Sequence, residues 1–279
     1  MQAGHGRRWH PCTVCGLVRG VGTRGCAASD VAPVEQANQS YQKYVEDQSE
    51  QLVSMTAKFV AAYKAGNDDE ARAIYPVARL HWERIETIAE SFGDLDPKLD
   101  LREADLEPGQ KWTGWHRLEK DLWPARAKNY RALSDAQRAA YSADLVKNTA
   151  VLYERARDLT FTVGEIANGS RGLLDEVATG KVTGEEEYWS RTDLWDFQAN
   201  IEGALVGFEG LRPVLQHRDP ELDQQIAVKF AAVQALLDAQ RVGAGFKSYD
   251  ELTQAEVKEL SDAVNALSEP LSKLAAAVV

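Results

Sequence analysis

The sequence predicts an all-α protein built from two antiparallel helical bundles, and three observations predict it. Apolar residues recur at steps of three and four from about Pro33 onward, alternation with period two is hard to find, and helix start and stop signals punctuate the pattern. The predicted organisation is a leader or disordered tether over 1–33, a first bundle over 34–150 and a second over 151–279, with one long helix shared between the bundles.

The elements follow in order. Tyr41, Tyr44, Val45, Leu52, Met55, Phe59 and Tyr63 keep one apolar face, and Gly66 supplies a stop. Asn67-Asp68-Asp69 is set to cap a second helix carrying Ile74, Val77, Leu80, Ile85, Ile88 and Phe92. Pro76 predicts a kink or a delayed start there, and Gly93 the end. Asp94 to Lys111 is an acidic connection with two prolines, too long for an ordinary helix turn and therefore a candidate functional loop. A short helix follows, closed by Pro124. Ser134 and Gln137 form a capping box for a long helix toward Asn168-Gly169, with a shorter stretch over 171–179 behind it. Thr183-Gly184 precedes a run through Trp189, Leu194, Phe197, Ile201, Leu205 and Phe208. Two last helices are expected near 219–241 and 253–277, the second opened by Thr253 and Glu256 as another capping box.

Composition narrows the function. The chain has 279 residues, 44% hydrophobic and 27% charged, which suits a globular protein with a substantial core. Its formal net charge of -11 argues against nucleic acid as a partner, since phosphate tracking needs a local excess of Lys and Arg. A small cation is the better electrostatic match, although an acidic surface also serves solubility. Cys12, Cys15 and Cys26 all fall near the start, so no disulfide framework holds the rest. Cys12-x-x-Cys15 is a weak zinc or redox signal without a second pair. The first forty or so residues lack an apolar stretch long enough for a secretory signal. Arg24-Gly25-Cys26-Ala27-Ala28-Ser29 nevertheless resembles the end of a bacterial lipoprotein signal, with Thr23 where such signals usually carry Leu.

One stretch carries chemistry. In Thr113-Gly114-Trp115-His116-Arg117-Leu118-Glu119, an imidazole and a carboxylate stand three residues apart, on one helix face, directly after a glycine. Both could reach one metal ion. The preceding helix offers Glu83 and Glu86 at the same spacing, the acidic connection adds Asp94, Asp96 and Asp100, and Gly184-Glu185-Glu186-Glu187 opens a further helix with carboxylates. Facing helices of a bundle are a known place to assemble such sites, and mixed imidazole and carboxylate donors suit iron, zinc or copper. The bland alternatives are a solvated acidic face, a helix N-terminus favoured by the macrodipole, and a packed core histidine bonded to Glu119.

Three segments together match a known pattern: His81-Trp-Glu-Arg-Ile-Glu through Phe92-Gly-Asp-Leu-Asp-Pro, Trp112-Thr-Gly-Trp-His-Arg-Leu-Glu, and Val182-Thr-Gly-Glu-Glu-Glu through Thr192-Asp-Leu-Trp-Asp-Phe. They resemble the imelysin-like domain of EfeO-type iron-uptake proteins, including the Gly-x-His-x-x-Glu signature at Gly114, His116 and Glu119, and the likeness spans roughly residue 34 to the C-terminus. The resemblance implies a pair of four-helix bundles; many relatives also carry an N-terminal cupredoxin domain, for which this chain has no room, so it looks like the shorter form. It implies a periplasmic or lipid-anchored protein, tethered through Cys26, that binds ferrous or ferric iron and passes it to a membrane permease, with a haem peroxidase in the same system. It carries His116 and Glu119 over as metal ligands, Glu83 and Glu86 next, and Asp96, Asp100 and Glu185 more loosely. Two other readings stay open: an imelysin-type metallopeptidase, for which the helical His-Glu-x-x-His arrangement is missing, and binding of an acidic polysaccharide such as alginate, which a cleft lined by Trp and Arg would favour.

Overall fold

The computed structural model describes residues 31–179 and 181–279; the leader, Cys12, Cys15 and Cys26 lie outside them. Its order is α1 (Val31–Lys64), α2 (Asp68–Glu83), α3 (Asp96–Leu99), α4 (Trp115–Leu122), α5 (Asp135–Asp158), α6 (Val163–Thr179), α7 (Asp193–Arg218), α8 (Pro220–Asp238), α9 (Gln254–Leu271) and α10 (Leu274–Val278). A small antiparallel hairpin, β1 (Arg241–Val242) with β2 (Gly245–Phe246), interrupts the α8–α9 connection. The described residues are all-α apart from that hairpin, whose two-residue strands are too short to register as alternation in sequence.

α1 follows its predicted stripe, burying Tyr41, Val45, Leu52, Phe59 and Tyr63, and ends where Gly66 turns the chain at φ 74°. With 34 residues it is about 50 Å long, enough to run past both bundles. It packs on α2 and α5, with α4 laid across α2 and α5; α6, α7, α8 and α9 form the second group. α7 also rests on α1 and α2, so the two groups share a seam. Among the described residues no helix is long and apolar enough to cross a membrane.

Four local expectations need correcting. Pro76 lies inside α2 rather than delaying it: the first turn holds Asp68, Asp69 and Glu70, which the macrodipole favours, and buried Tyr75, Ala78 and Trp82 hold the rest. The second helix does not continue to Gly93. It stops at Glu83, and Glu86–Leu95 winds as 3-10 turns with breaks at Ile88 and Gly93. The cause is close approach to the second bundle. The Arg84 carbonyl would lie 2.2 Å from a Cβ at Gly203 of α7, and the Thr87 carbonyl would lie 2.3 Å from one at Gly169 of α6. Gly169 is therefore a seat for a neighbour, not a helix stop. The helix expected from Ser134 to Gly169 is consequently two: α5, opened by the Ser134–Gln137 capping box, and α6, opened where Thr162 and Glu165 cap each other. Finally, Glu185–Thr192 is a turn, and the helix it was expected to open begins at Asp193. The Thr253–Glu256 capping box is present as expected.

Candidate metal centre

The walls of the site come from both groups of helices. α4 is held by Trp115, whose ring packs 5.2 Å from Phe59 and 5.9 Å from Tyr75, and by Asp121, which accepts from Tyr63, Tyr130, Arg138 and the Leu133 N–H. Its first residue is set by Gly114, at φ 88°, where a Cβ would meet the Leu99 carbonyl oxygen at 2.2 Å. Only glycine lets α4 press onto the acidic connection this closely. The contact brings His116 to Asp100. The opposite wall is the 181–192 segment, tied down where Tyr249 donates to the Val182 carbonyl and where Arg191 pairs with Asp250 at 2.9 Å.

At the junction His116 is 1% exposed. Its Nδ1 lies 3.0 Å from Glu119 Oε2, while the other Glu119 oxygen accepts the Trp189 and Ser190 N–H groups at 2.8 and 2.7 Å. Glu119 is thereby fully engaged and fixes the ring, the role a carboxylate behind a ligating histidine plays. The other ring nitrogen has no hydrogen-bond partner. Nε2 lies 3.4 Å from Asp100 Oδ1 and 3.6 Å from Glu186 Oε1. Two donors each about 2.1 Å from one ion stand roughly 3.0–3.4 Å apart in tetrahedral or octahedral geometry, so the distances from Nε2 to the two carboxylates are close to what a first-row metal ion needs, and all three atoms lie within 4.8 Å of one another. A second cluster, His116 with Glu119 and Glu187, also has its ligand atoms within 4.8 Å of one another. Its carboxylates are occupied by protein donors, as Asp100 also is by Arg79 and Trp82: Glu187 receives Tyr75 and Ser190 hydroxyls and sits 2.5 Å from Arg79 Nε.

Arg79 stands at the centre. Fully buried, it bonds Asp100, lies 2.5 Å from Glu83, and reaches to 3.8 Å from both Glu186 and Asp196. Trp82 Nε1 fixes the second Asp100 oxygen at 2.7 Å. Charges in this dry space shift one another. Burial and Arg79 oppose protonation of His116, but Asp100, Glu119 and Glu186 outweigh them and raise it well above its ordinary value. Burial and the neighbouring Glu119 push Glu187 up to about 7; Glu186 falls to about 2 because Lys181 and His116 overcome its burial.

Of the residues singled out from sequence, His116, Glu119 and Asp100 meet. Glu83 and Glu86 do not reach them. They face Lys181, 2.7 and 2.5 Å away, and Asn200 Nδ2 donates to both. Asp96 sits at the edge of an adjoining cleft of about 300 Å³, its carboxyl raised to about 6 by burial and by Asp100. Glu185 points outward, and its neighbour Glu186 makes the approach to His116 instead. Sequence reasoning missed Arg79, Lys181 and the distinction within the glutamate run. Nothing marks Arg79 in sequence, whereas the run itself was visible and only its geometry was not. A cleft of about 530 Å³ leads from solvent to His116, lined also by Arg102, Glu103, Asp105, Glu185, Glu186 and Trp189.

Residues 37–274 match the imelysin family, whose description also carries the word peptidase. The chain belongs to this family. It is 43% identical to an Efem/EfeO family lipoprotein of Staphylococcus haemolyticus over 247 residues, 88% of this chain and 84% of the relative. An Efem/EfeO family lipoprotein of Staphylococcus aureus is 40% identical over 248 residues, 88% of this chain and 85% of the relative.

Proposed function

We propose that this imelysin-family protein is a cell-envelope carrier of an iron-uptake system, which captures an iron ion between His116 Nε2, Asp100 and Glu186 and passes it to a membrane permease. The observation that carries the reading is the unpartnered Nε2 of a buried histidine, facing two carboxylate oxygens at the floor of an acidic cleft. An imidazole nitrogen and two carboxylate oxygens that converge without a hydrogen bond form a donor set that a cation can take once the imidazole gives up its proton. The lipoprotein relatives support a place in the envelope, and the Gly25-Cys26 step makes Cys26 the residue that would carry the anchor. The permease, and a haem peroxidase as further partner, come with the family resemblance.

The peptidase reading has less support. Metal-dependent hydrolysis needs a free general base beside an open coordination position. Glu119 and Glu187, the carboxylates best placed for it, are taken up by backbone, hydroxyl and guanidinium donors. An acidic polysaccharide would meet Tyr188, Trp189 and Arg102 at the cleft, but also the carboxylates of Glu103, Asp105, Glu185 and Glu186. Like charges at close range make that partner the weaker one.

The test is metal content and iron affinity of the purified chain beside a His116→Ala/Glu119→Ala variant, by elemental analysis and calorimetry, with helicity read by circular dichroism. Binding of iron by the parent and its loss in a folded variant supports capture at this site. Equal binding by both, or by neither, overturns it.

A further inference from the structure

Several parts of the proposed centre hang from one segment between helices. Glu186 lies on 181–192, and so do the Trp189 and Ser190 N–H groups that hold Glu119 at 2.8 and 2.7 Å. A turn has no helical ladder to fix it, so its position depends on contacts from outside. Arg191 joins the two ends of this one. Its backbone turns at φ 64°, a left-handed conformation that a residue other than glycine keeps only when its surroundings impose it. The surroundings here are specific. The Arg191 carbonyl accepts the Tyr249 N–H at 3.0 Å, its N–H donates to the Glu187 carbonyl at 2.8 Å, and its guanidinium donates to the Gly184 carbonyl and pairs with Asp250 at 2.9 Å. Gly184 leaves room for this, since a Cβ there would stand 2.3 Å from the Tyr249 ring. Asp250 also pairs with Arg126 at 2.7 Å, which ties the clamp to the α4–α5 connection in the other helix group.

We propose that Arg191 is a positioning residue of the metal centre: held by Asp250, it closes the 184–191 loop and so sets where Glu186 and the N–H groups behind Glu119 stand relative to His116. The inference rests on the proposed capture of a metal ion at His116. Arg191 does not line the cleft that leads to His116, so it acts on the ion only through the loop. Loosening the loop leaves the cleft open and the ion's arrival unchanged, while Glu186 parts from a bound ion more often. The effect therefore falls on release rather than on capture. Asp250 is half exposed, so salt screens its hold on Arg191. The residence time of the ion should shorten as ionic strength rises, by a route through residues that never touch it.

The experiment loads the full chain with Co2+ as its chloride, whose visible absorption reports the ligands around it, and follows release into excess EDTA by stopped flow. Affinity comes from calorimetry and the thermal midpoint from circular dichroism. Parent, Arg191→Gly, Asp250→Ala, Asp250→Glu, the Arg191→Gly/Asp250→Ala double variant and His116→Ala are compared. Glycine accepts the φ of 64° without strain, so Arg191→Gly removes the guanidinium and leaves the turn. It should release Co2+ about tenfold faster with an unchanged association rate, the low end for loss of a group behind the ligands. Asp250→Ala should speed release about fivefold, and Asp250→Glu, which keeps the charge, should stay within about twofold of the parent. The double variant should be no faster than Arg191→Gly alone. Raising salt from about 0.05 to about 0.5 M should speed release more in the parent than in Asp250→Ala. Asp250 is half exposed, so its variants keep the test open where Arg191→Gly does not fold. A lowered thermal midpoint with parental release rates would make Arg191 merely structural and overturn the inference, as would additive effects in the double variant or equal salt dependence. Failure of the parent to bind Co2+, or undiminished binding by His116→Ala, would instead overturn the capture site itself.

Discussion

Two pairs of polar residues in this chain look alike in sequence and differ in fate. Glu83 and Glu86 stand three apart after α2 turns inward; His116 and Glu119 stand three apart on α4. The first pair is closed. Lys181, 98 residues from Glu83, inserts its ammonium between the two carboxylates, and Asn200 donates to what remains. The second pair keeps one ring nitrogen, His116 Nε2, without a hydrogen bond. Spacing along a helix brings donors together, but a residue arriving from elsewhere in the chain decides whether they are a structural lock or an open seat for an ion.

That contrast can be broken or sharpened by experiment. The largest effect belongs to His116→Ala, which abolishes iron binding while leaving the fold intact; titration calorimetry with circular dichroism checks both halves. Lys181→Met should do the reverse. Removing one partner of a buried ion pair costs about 3–5 kcal/mol, to be seen as a lowered midpoint in denaturant unfolding, while each folded molecule still binds one ion. Glu119→Gln should weaken affinity by about 10–100-fold without abolishing it, as loss of a positioning carboxylate does; a complete loss would make Glu119 a ligand in its own right. Affinity should also depend on pH. His116 holds its proton well above the ordinary value, so the ion must displace it, and binding should strengthen about tenfold per pH unit up to that raised pKa and then level off. Proton release on binding, measured in buffers of different ionisation enthalpy, gives an independent reading. Smallest is Glu185→Gln, within about 0.5 kcal/mol in affinity, because this carboxylate only borders the cleft.

The fold was legible where local signals suffice. Both capping boxes, Ser134–Gln137 and Thr253–Glu256, open the helices assigned to them, and the apolar stripe of α1 is the one buried. It misled where tertiary contact overrides local preference. Gly169 reads as a stop, yet the helix runs through it because the Thr87 carbonyl needs the room. At the site, the motif around His116 was readable from spacing alone. The register of Glu185-Glu186-Glu187 was not, because a turn obeys no simple period and only one of the three approaches the imidazole nitrogen that lacks a partner. Arg79 was invisible for a related reason: a lone arginine on an amphipathic helix reads as solvated surface until five carboxylates are folded around it.

Gly114 contributes no donor, no charge and no packing surface, yet it acts as the caliper of the centre. With a peptide group of the Leu99 segment seated where its side chain would be, the distance from Asp100 to His116 is limited only by the thickness of bare backbone. A single methyl group at this position would push the Leu99 segment away and widen the gap between Asp100 and His116. The width of the proposed seat is thus recorded in an atom that the chain leaves out.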